Sequence, residues 1–232
     1  MSHGPPATRL LLAEPVRALG TLAKLARRWP ELQAAPRGDG RPLLLLPGLF
    51  NGDGAMFVMR RYLSALGYRA VGWELGRNFG PRAIGPQGER LLARVETVAR
   101  EAGAPVTLIG VSLGGIMARI AAHRQPGLVR EVITVSAPFA GSPTATNVWR
   151  AYQWLSGERI DDPVVAALLA EAAAPLPVPA SAIWSRSDGL VNGRACHTPN
   201  CRAIEVESGH LWVQMHPQVL RAIAEVLGGA PG

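Results

Sequence analysis

Lysine is almost missing from this chain: of 24 basic residues only Lys24 is a lysine, and the others are arginines. The net charge of +7 reflects that arginine-rich usage as much as a surface made for polyanions. No zinc-finger, RNA-recognition or helix-turn-helix pattern accompanies it, which argues against nucleic acid as a partner. Cysteine is equally scarce. Cys196 and Cys201 are the only two, too few for a disulfide-stapled scaffold. Their stretch "ACHTPNC" can close a small disulfide loop or, with His197, offer three metal ligands, but two loop thiols in a cytoplasmic protein are most often just thiols. A zinc site wants four ligands in a recognisable pattern, so no metal is expected. Long apolar runs are also lacking. None approaches the roughly 18 residues of a transmembrane helix. The opening "TRLLLAEPVRALG" is broken by Glu14, Pro15 and Arg17 and has no signal-peptide layout, so a cytoplasmic protein is expected.

What is present is a full core. Hydrophobic residues make up 48% of 232 residues, enough for one domain of ordinary to large size. Residues 9–29 place Leu12, Val16, Leu19, Leu22 or Ala23, and Ala26 at helical spacing, with Arg17, Lys24, Arg27 and Arg28 between them. The pattern predicts an amphipathic basic helix interrupted near Pro15. It is either an extra helix packed on the domain or an anchor to a membrane surface. "APRGDGRP" (35–42) then reads as a linker, so residues 1–41 form an N-terminal segment and 42–229 the main domain. Within that domain short apolar strands alternate with helices: "LLLLP", "YRAVGW", "PVTLIGV", "REVITVSAP", "ASAIWSRSD" and "CRAIEVES" are the strands. This rhythm predicts an α/β fold with a mostly parallel sheet covered on both faces. The interval of about 140–178 is too long for a crossover alone. It holds Trp149, Tyr152, Trp154 and a helical stretch over 164–173, and reads as a small helical cap.

The segment "VTLIGVSLGGIMARIAA" (106–122) carries the chemistry. Ser112 lies between a β-branched strand and an alanine-rich helix, in the pattern G-x-S-x-G. The turn is too tight for flanking side chains, and its strain presents the serine oxygen to a cleft at the carboxyl ends of the strands. The helix N-terminus adds positive potential where an oxyanion would form. The bland alternative is that Ser112 merely caps the helix. A serine nucleophile needs a base, and the base needs an orienting carboxylate, expected in the chain order serine, acid, histidine. "WSRSDGLV" supplies Asp188 after a late strand, although an Asp-Gly pair is also a common turn. Asp161 and Asp162 fall in the cap. "SGHLW" supplies His210 after the last strand. His216 competes but precedes Pro217 as a helix-start residue, and His123, His197 and His3 are placed worse. The oxyanion would be bound by the backbone N–H groups of Leu113 and of Leu49, in the loop "LPGLFNGDG" after the first strand.

Taken together, "LLLLPGLF", "GVSLGG", "WSRSDGLV" and "SGHLW" resemble the α/β-hydrolase superfamily, over about 42–227. Within the superfamily it looks like the lipase and carboxylesterase branch, with Pro47 in place of the usual histidine before the glycine. The element "GWELGRNFGP" (72–81) resembles one found in a bacterial group of lipase-like hydrolases. The resemblance implies an α/β-hydrolase domain with a cap inserted at about 140–178. It implies hydrolysis of a carboxylic ester through an acyl-enzyme by Ser112, Asp188 and His210, with no metal or organic cofactor. Acyltransferases, thioesterases and amidases share the same triad. Arg77 and Asn78 would either contact substrate or hold a loop. Phe50, Met56, Trp149, Tyr152 and Trp154 favour a small-molecule ester with an apolar acyl part, unless the cap aromatics form the cap's own core.

Overall fold

The computed structural model describes residues 4–140, 146–147 and 163–229, with backbone only for Pro163 and Val164. Trp149, Tyr152 and Trp154 lie outside the described residues.

Six strands form one parallel sheet: β1 (Pro42–Leu46), β2 (Arg69–Gly72), β3 (Val106–Val111), β4 (Val129–Val135), β5 (Ala180–Trp184) and β6 (Arg202–Glu205). Their order is β2-β1-β3-β4-β5-β6, and every pairing is parallel. The α/β expectation of a mostly parallel sheet with helices on both faces thus holds. The helices are α1 (Thr8–Gln33), α2 (Phe57–Leu66), α3 (Pro81–Ile84), α4 (Glu89–Ala102), α5 (Leu113–Arg124), α6 (Pro163–Ala173) and α7 (Pro217–Leu227).

The central strands are continuous apolar runs because both of their faces are covered. Side chains alternate across a strand, so neighbours in sequence serve opposite cores. Leu43 and Leu45, with Ile109, Val111, Ile133 and Val135, pack with α2 and α7 on one face. Leu44 and Leu46, with Val106, Leu108, Val129 and Val132, pack with α4 and α5 on the other. The chain leaves β1 toward β2 on one side and returns to β3 on the other. The loops after β1 and β3 therefore flank the point where strand order reverses, the usual position for a ligand in such sheets.

One feature differs from the sequence expectation, and one alternative it left open is settled. First, α1 is not interrupted at Pro15; it runs unbroken through Pro15 and Pro30. Pro15 is exposed, so water can serve the carbonyl that its ring leaves without an N–H, and packing of the opposite face holds the helix. That packed face is not the leucine stripe: Glu14, Ala18, Thr21 and Leu32 are buried, while Leu12, Val16, Leu19 and Leu22 point outward. Second, Cys196 and Cys201 are free thiols, so the disulfide is not formed. Cys196 is buried, and burial pushes its thiol well above the ordinary cysteine range. Cys201 Sγ instead meets the carbonyl of Thr198, 3.2 Å away.

The described part of the 140–178 segment is fastened at both ends. Asn147 N donates to Leu190 O at 2.7 Å, and Asn147 Nδ2 donates to Gly189 O at 2.7 Å. At the other end α6 lies on α5. Arg124 makes a two-pronged ion pair with Glu171 at 2.8 and 2.7 Å. The buried guanidinium of Arg119 donates to Ala172 O and, at 2.7 Å, to Ala174 O, and stacks 3.9 Å from the Phe139 ring centre. Burial lowers its pKa to about 10.

Candidate active site

The turn after β3 is made by what cannot fit there. A Cβ on Gly110 would lie 2.3 Å from Gly114 O, and one on Gly114 would lie 2.3 Å from Leu46 O. The strand end, the helix start and the end of β1 thus touch backbone to backbone. Ser112 sits on that corner at φ 52° and ψ −120°, a backbone state costing roughly 1–3 kcal/mol for a non-glycine residue. Its N–H continues the ladder to Val135 O at 2.8 Å. Its side chain makes no capping bond, so the helix-cap alternative does not describe it.

The three residues expected to act together do meet. His210 Nε2 lies 3.2 Å from Ser112 Oγ, and His210 Nδ1 lies 2.7 Å from Asp188 Oδ2. Asp188 is buried, and its other oxygen accepts from Leu190 N and Val191 N, both at 2.9 Å. A carboxylate so placed is the acceptor, which puts the imidazole proton on Nδ1 and leaves Nε2 to accept from the serine hydroxyl. Burial, the largest single influence, pushes the His210 pKa down. The charge and hydrogen bond of Asp188, with the charge of Glu14, outweigh it and leave the pKa above the ordinary value of 6.5.

His216 goes elsewhere. It is buried, neither ring nitrogen has a partner among the described residues, and burial lowers its pKa to about 4.

The loop after β1 lies against the serine. A Cβ on Gly48 would come within 3.3 Å of Ser112 Cβ. The neighbouring turn bonds, Phe50 N to Asn78 O at 2.8 Å and Asn51 N to Gly48 O at 3.1 Å, do not involve the N–H of Leu49. Leu113 is the first residue of α5, where an N–H has no acceptor within its own helix.

Of the two roles open to Asn78, contact with substrate or holding a loop, its bonds show the second. It is fully buried and acts on the loop. Its Nδ2 donates to Pro47 O at 2.8 Å, its Oδ1 accepts from Gly80 N at 3.0 Å, and its own N–H donates to Asn51 O at 2.8 Å. Asp53 ties the same loop to the end of β2 by accepting from Trp73 N and Glu74 N at 3.0 and 3.1 Å. "GWELGRNFGP" is therefore a bracket for the Gly48 loop. Arg77 is exposed and, with Phe50, lines an open groove of about 530 Å³. Phe50 stacks 5.9 Å from Phe79.

The residue that sequence reasoning missed is Glu14. This buried carboxylate of α1 accepts from Gly189 N at 2.7 Å, from His210 N at 2.8 and 2.9 Å, and from Leu211 N at 2.9 Å. One turn on, Arg17 donates to Ser187 O and, at 2.8 Å, to Ser187 Oγ. The Asp188 and His210 loops are also stitched to each other, Ser185 Oγ donating to Ser208 O at 2.9 Å and Ser187 Oγ at 3.2 Å. An acid inside a helix whose partners lie 175 to 197 residues away leaves no local signal. The only hint was a glutamate interrupting an apolar run.

No protein-family model matches the chain, and no curated protein does. Solved structures do. A lipase of Bacillus licheniformis in its mature form is 16% identical, with a TM-score of 0.62 over 83% of this chain and 94% of that one. A thermophilic carboxylesterase cloned from a metagenomic library is 16% identical, with a TM-score of 0.60 over 83% and 81%. The thioesterase domain from the curacin biosynthetic pathway is 16% identical, with a TM-score of 0.50 over 83% and 92%. The sheet order, the turn at Ser112 and these likenesses agree: the chain has the α/β-hydrolase fold.

Proposed function

We propose that the protein is a serine hydrolase that cleaves carboxylic esters through an acyl-enzyme. The observation that carries the reading is the chain of contacts from Asp188 through His210 to Ser112 Oγ, at 2.7 and 3.2 Å. The Ser112 hydroxyl gives its proton to His210 Nε2 as its oxygen attacks the ester carbonyl. Asp188 stabilises the imidazolium that forms. The N–H groups of Leu49 and Leu113 take the negative oxygen of the tetrahedral intermediate. His210 returns the proton to the leaving alcohol, then removes one from water, which releases the acid from Ser112. Phe50 and the exposed Leu211 and Trp212, beside the reacting residues in sequence, suit an apolar acyl chain.

A series of p-nitrophenyl esters, short to long, tests this reading with wild type and Ser112→Ala. The expected result is hydrolysis that falls by about 10,000-fold or more in the variant. Equal hydrolysis by both proteins would refute it. The likeness to a thioesterase domain makes thioester cleavage the second reading, since the same acyl-enzyme serves both. Faster turnover of acyl thioesters than of matched esters selects it. Preferred transfer of the acyl group to an added alcohol over water would instead indicate an acyltransferase.

A further inference from the structure

Glu14 bonds to no reacting atom, yet it holds the backbone of both loops that carry the proton-transfer pair. Gly189 follows Asp188, and the amides of His210 and Leu211 start the turn that aims the imidazole. The fit leaves no slack: a Cβ on Gly209 would lie 2.7 Å from Glu14 Oε2, and one on Gly189 would lie 2.5 Å from Leu10 O. A backbone N–H shielded from water needs an acceptor, and here one side chain serves three N–H groups. We infer that Glu14 is a positioning residue for the Asp188–His210 pair, so that helix α1 forms part of the active-site framework. Its carboxylate fixes the distance between the two loops, and its negative charge faces His210 from α1. The other charged groups around it are Asp188 on the imidazole and Arg17, 3.9 Å from Glu14. The inference rests on the triad reading.

The test uses the full chain and the variants Glu14→Gln and Glu14→Ala. A fluorophosphonate probe labels an activated serine without any need for the natural substrate. Two quantities are measured: the fraction of molecules that can be labelled, and the labelling rate per labelled site against pH. The expected result is a rate per site about tenfold lower in Glu14→Gln and lower still in Glu14→Ala. In Glu14→Gln the acid limb should also move to lower pH, because His210 loses a negative neighbour that favours its protonated form. A purely structural role would reduce the labelled fraction and leave the rate per site and the acid limb unchanged; that result overturns the inference. If Ser112 is not labelled even in wild type, the triad reading itself has failed.

The opposite face of α1 carries a second inference independently. Leu12 and Val16 are 74% exposed, Leu19 66% and Leu22 48%, an apolar stripe where the outward face of a soluble helix is ordinarily polar. Exposed Arg9, Lys24 and Arg27 lie along its flank, while Arg28 pairs with Glu31 at 3.1 Å. Apolar side chains bordered by cations on a helix that cannot cross a bilayer complement an anionic lipid surface. We infer that this face docks there, beside the loops of the active site. Sedimentation with vesicles of phosphatidylcholine, with and without phosphatidylserine, tests it on wild type and Leu12→Glu/Leu19→Glu. Binding to the phosphatidylserine vesicles should fall at least tenfold in the variant, while circular dichroism stays the same. Equal binding by both proteins overturns it, as does no binding at all. A wild-type dimer that the double variant dissociates would assign the stripe to a second copy of the chain and also overturn it.

Discussion

Ser112 and the Asp188–His210 pair are held in opposite ways. Ser112 is fixed within the core of the sheet: a strand, two glycines that let backbones touch, and the first turn of a helix adjoin it in sequence, and the neighbouring strands close on them. His210 and Asp188 stand on loops after the last two strands, and those loops are fastened from far away. Glu14 and Arg17 reach them from the other end of the chain, and Asn147 reaches them from the 140–178 segment. The contrast teaches where damage should appear. Harm to the serine half shows as lost fold, because its geometry is the geometry of the core. Harm to the histidine half shows as lost rate, because its loops can shift while the sheet stays intact.

The largest effect expected outside Ser112 itself is at Asp188. Asp188→Asn should keep the fold and lower kcat by about 10,000-fold, since the wrong imidazole tautomer is then favoured. Ester kinetics beside a thermal melt measure both; a loss of melting temperature to match the loss of rate would blur the two halves. Gly114→Ala should do the reverse. Its new methyl would sit 2.3 Å from Leu46 O, and overpacking of this kind costs about 1–3 kcal/mol or more. A drop in melting temperature of roughly 5–10 °C is expected, whereas Gly48→Ala, with 3.3 Å to its nearest neighbour, should melt closer to wild type. Asn78→Ala sharpens the comparison. It loosens the Gly48 loop without touching the triad, so kcat should fall roughly tenfold with little change in KM, read from full substrate-saturation curves.

Smaller effects come with pH. The raised pKa of His210 means that the acid limb of kcat/KM should lie above pH 6.5, since the neutral imidazole is the working form. His216 acts on stability instead. Its folded pKa of about 4 is below its unfolded value, so the unfolded chain binds the extra proton between about pH 4 and 6.5. Stability is lost as pH falls through that window. His216→Leu should flatten the melting temperature there while leaving the acid limb of activity in place; movement of that limb would tie His216 to the reaction after all.

The same contrast explains how much the sequence disclosed. Ser112 was legible because strand, glycines and helix are contiguous, and each constrains the next within a few residues. Asp188 and His210 were legible more weakly, as the right residue types after the right strands. Asn78 was placed in the right loop, but whether it faced substrate or backbone depended on packing that no spacing encodes. The helix α1 was legible as a helix, yet its orientation was hidden. Leu12, Val16, Leu19 and Leu22 look like a core face by periodicity, whereas the buried face carries Glu14 and Thr21. Partners such as Glu14 and His210 are joined only by tertiary folding, so the sequence gives no local sign of them. The free state of Cys196 and Cys201 was likewise a matter of three-dimensional placement.

The central claim is that Ser112 is a nucleophile made reactive by His210 and Asp188. The most direct measurement is reaction of the intact protein with a fluorophosphonate, followed by mass mapping of the adduct. One adduct per chain is expected, on Ser112, formed far more slowly in His210→Ala. An adduct on another serine, or a rate on Ser112 that does not depend on His210, would contradict it.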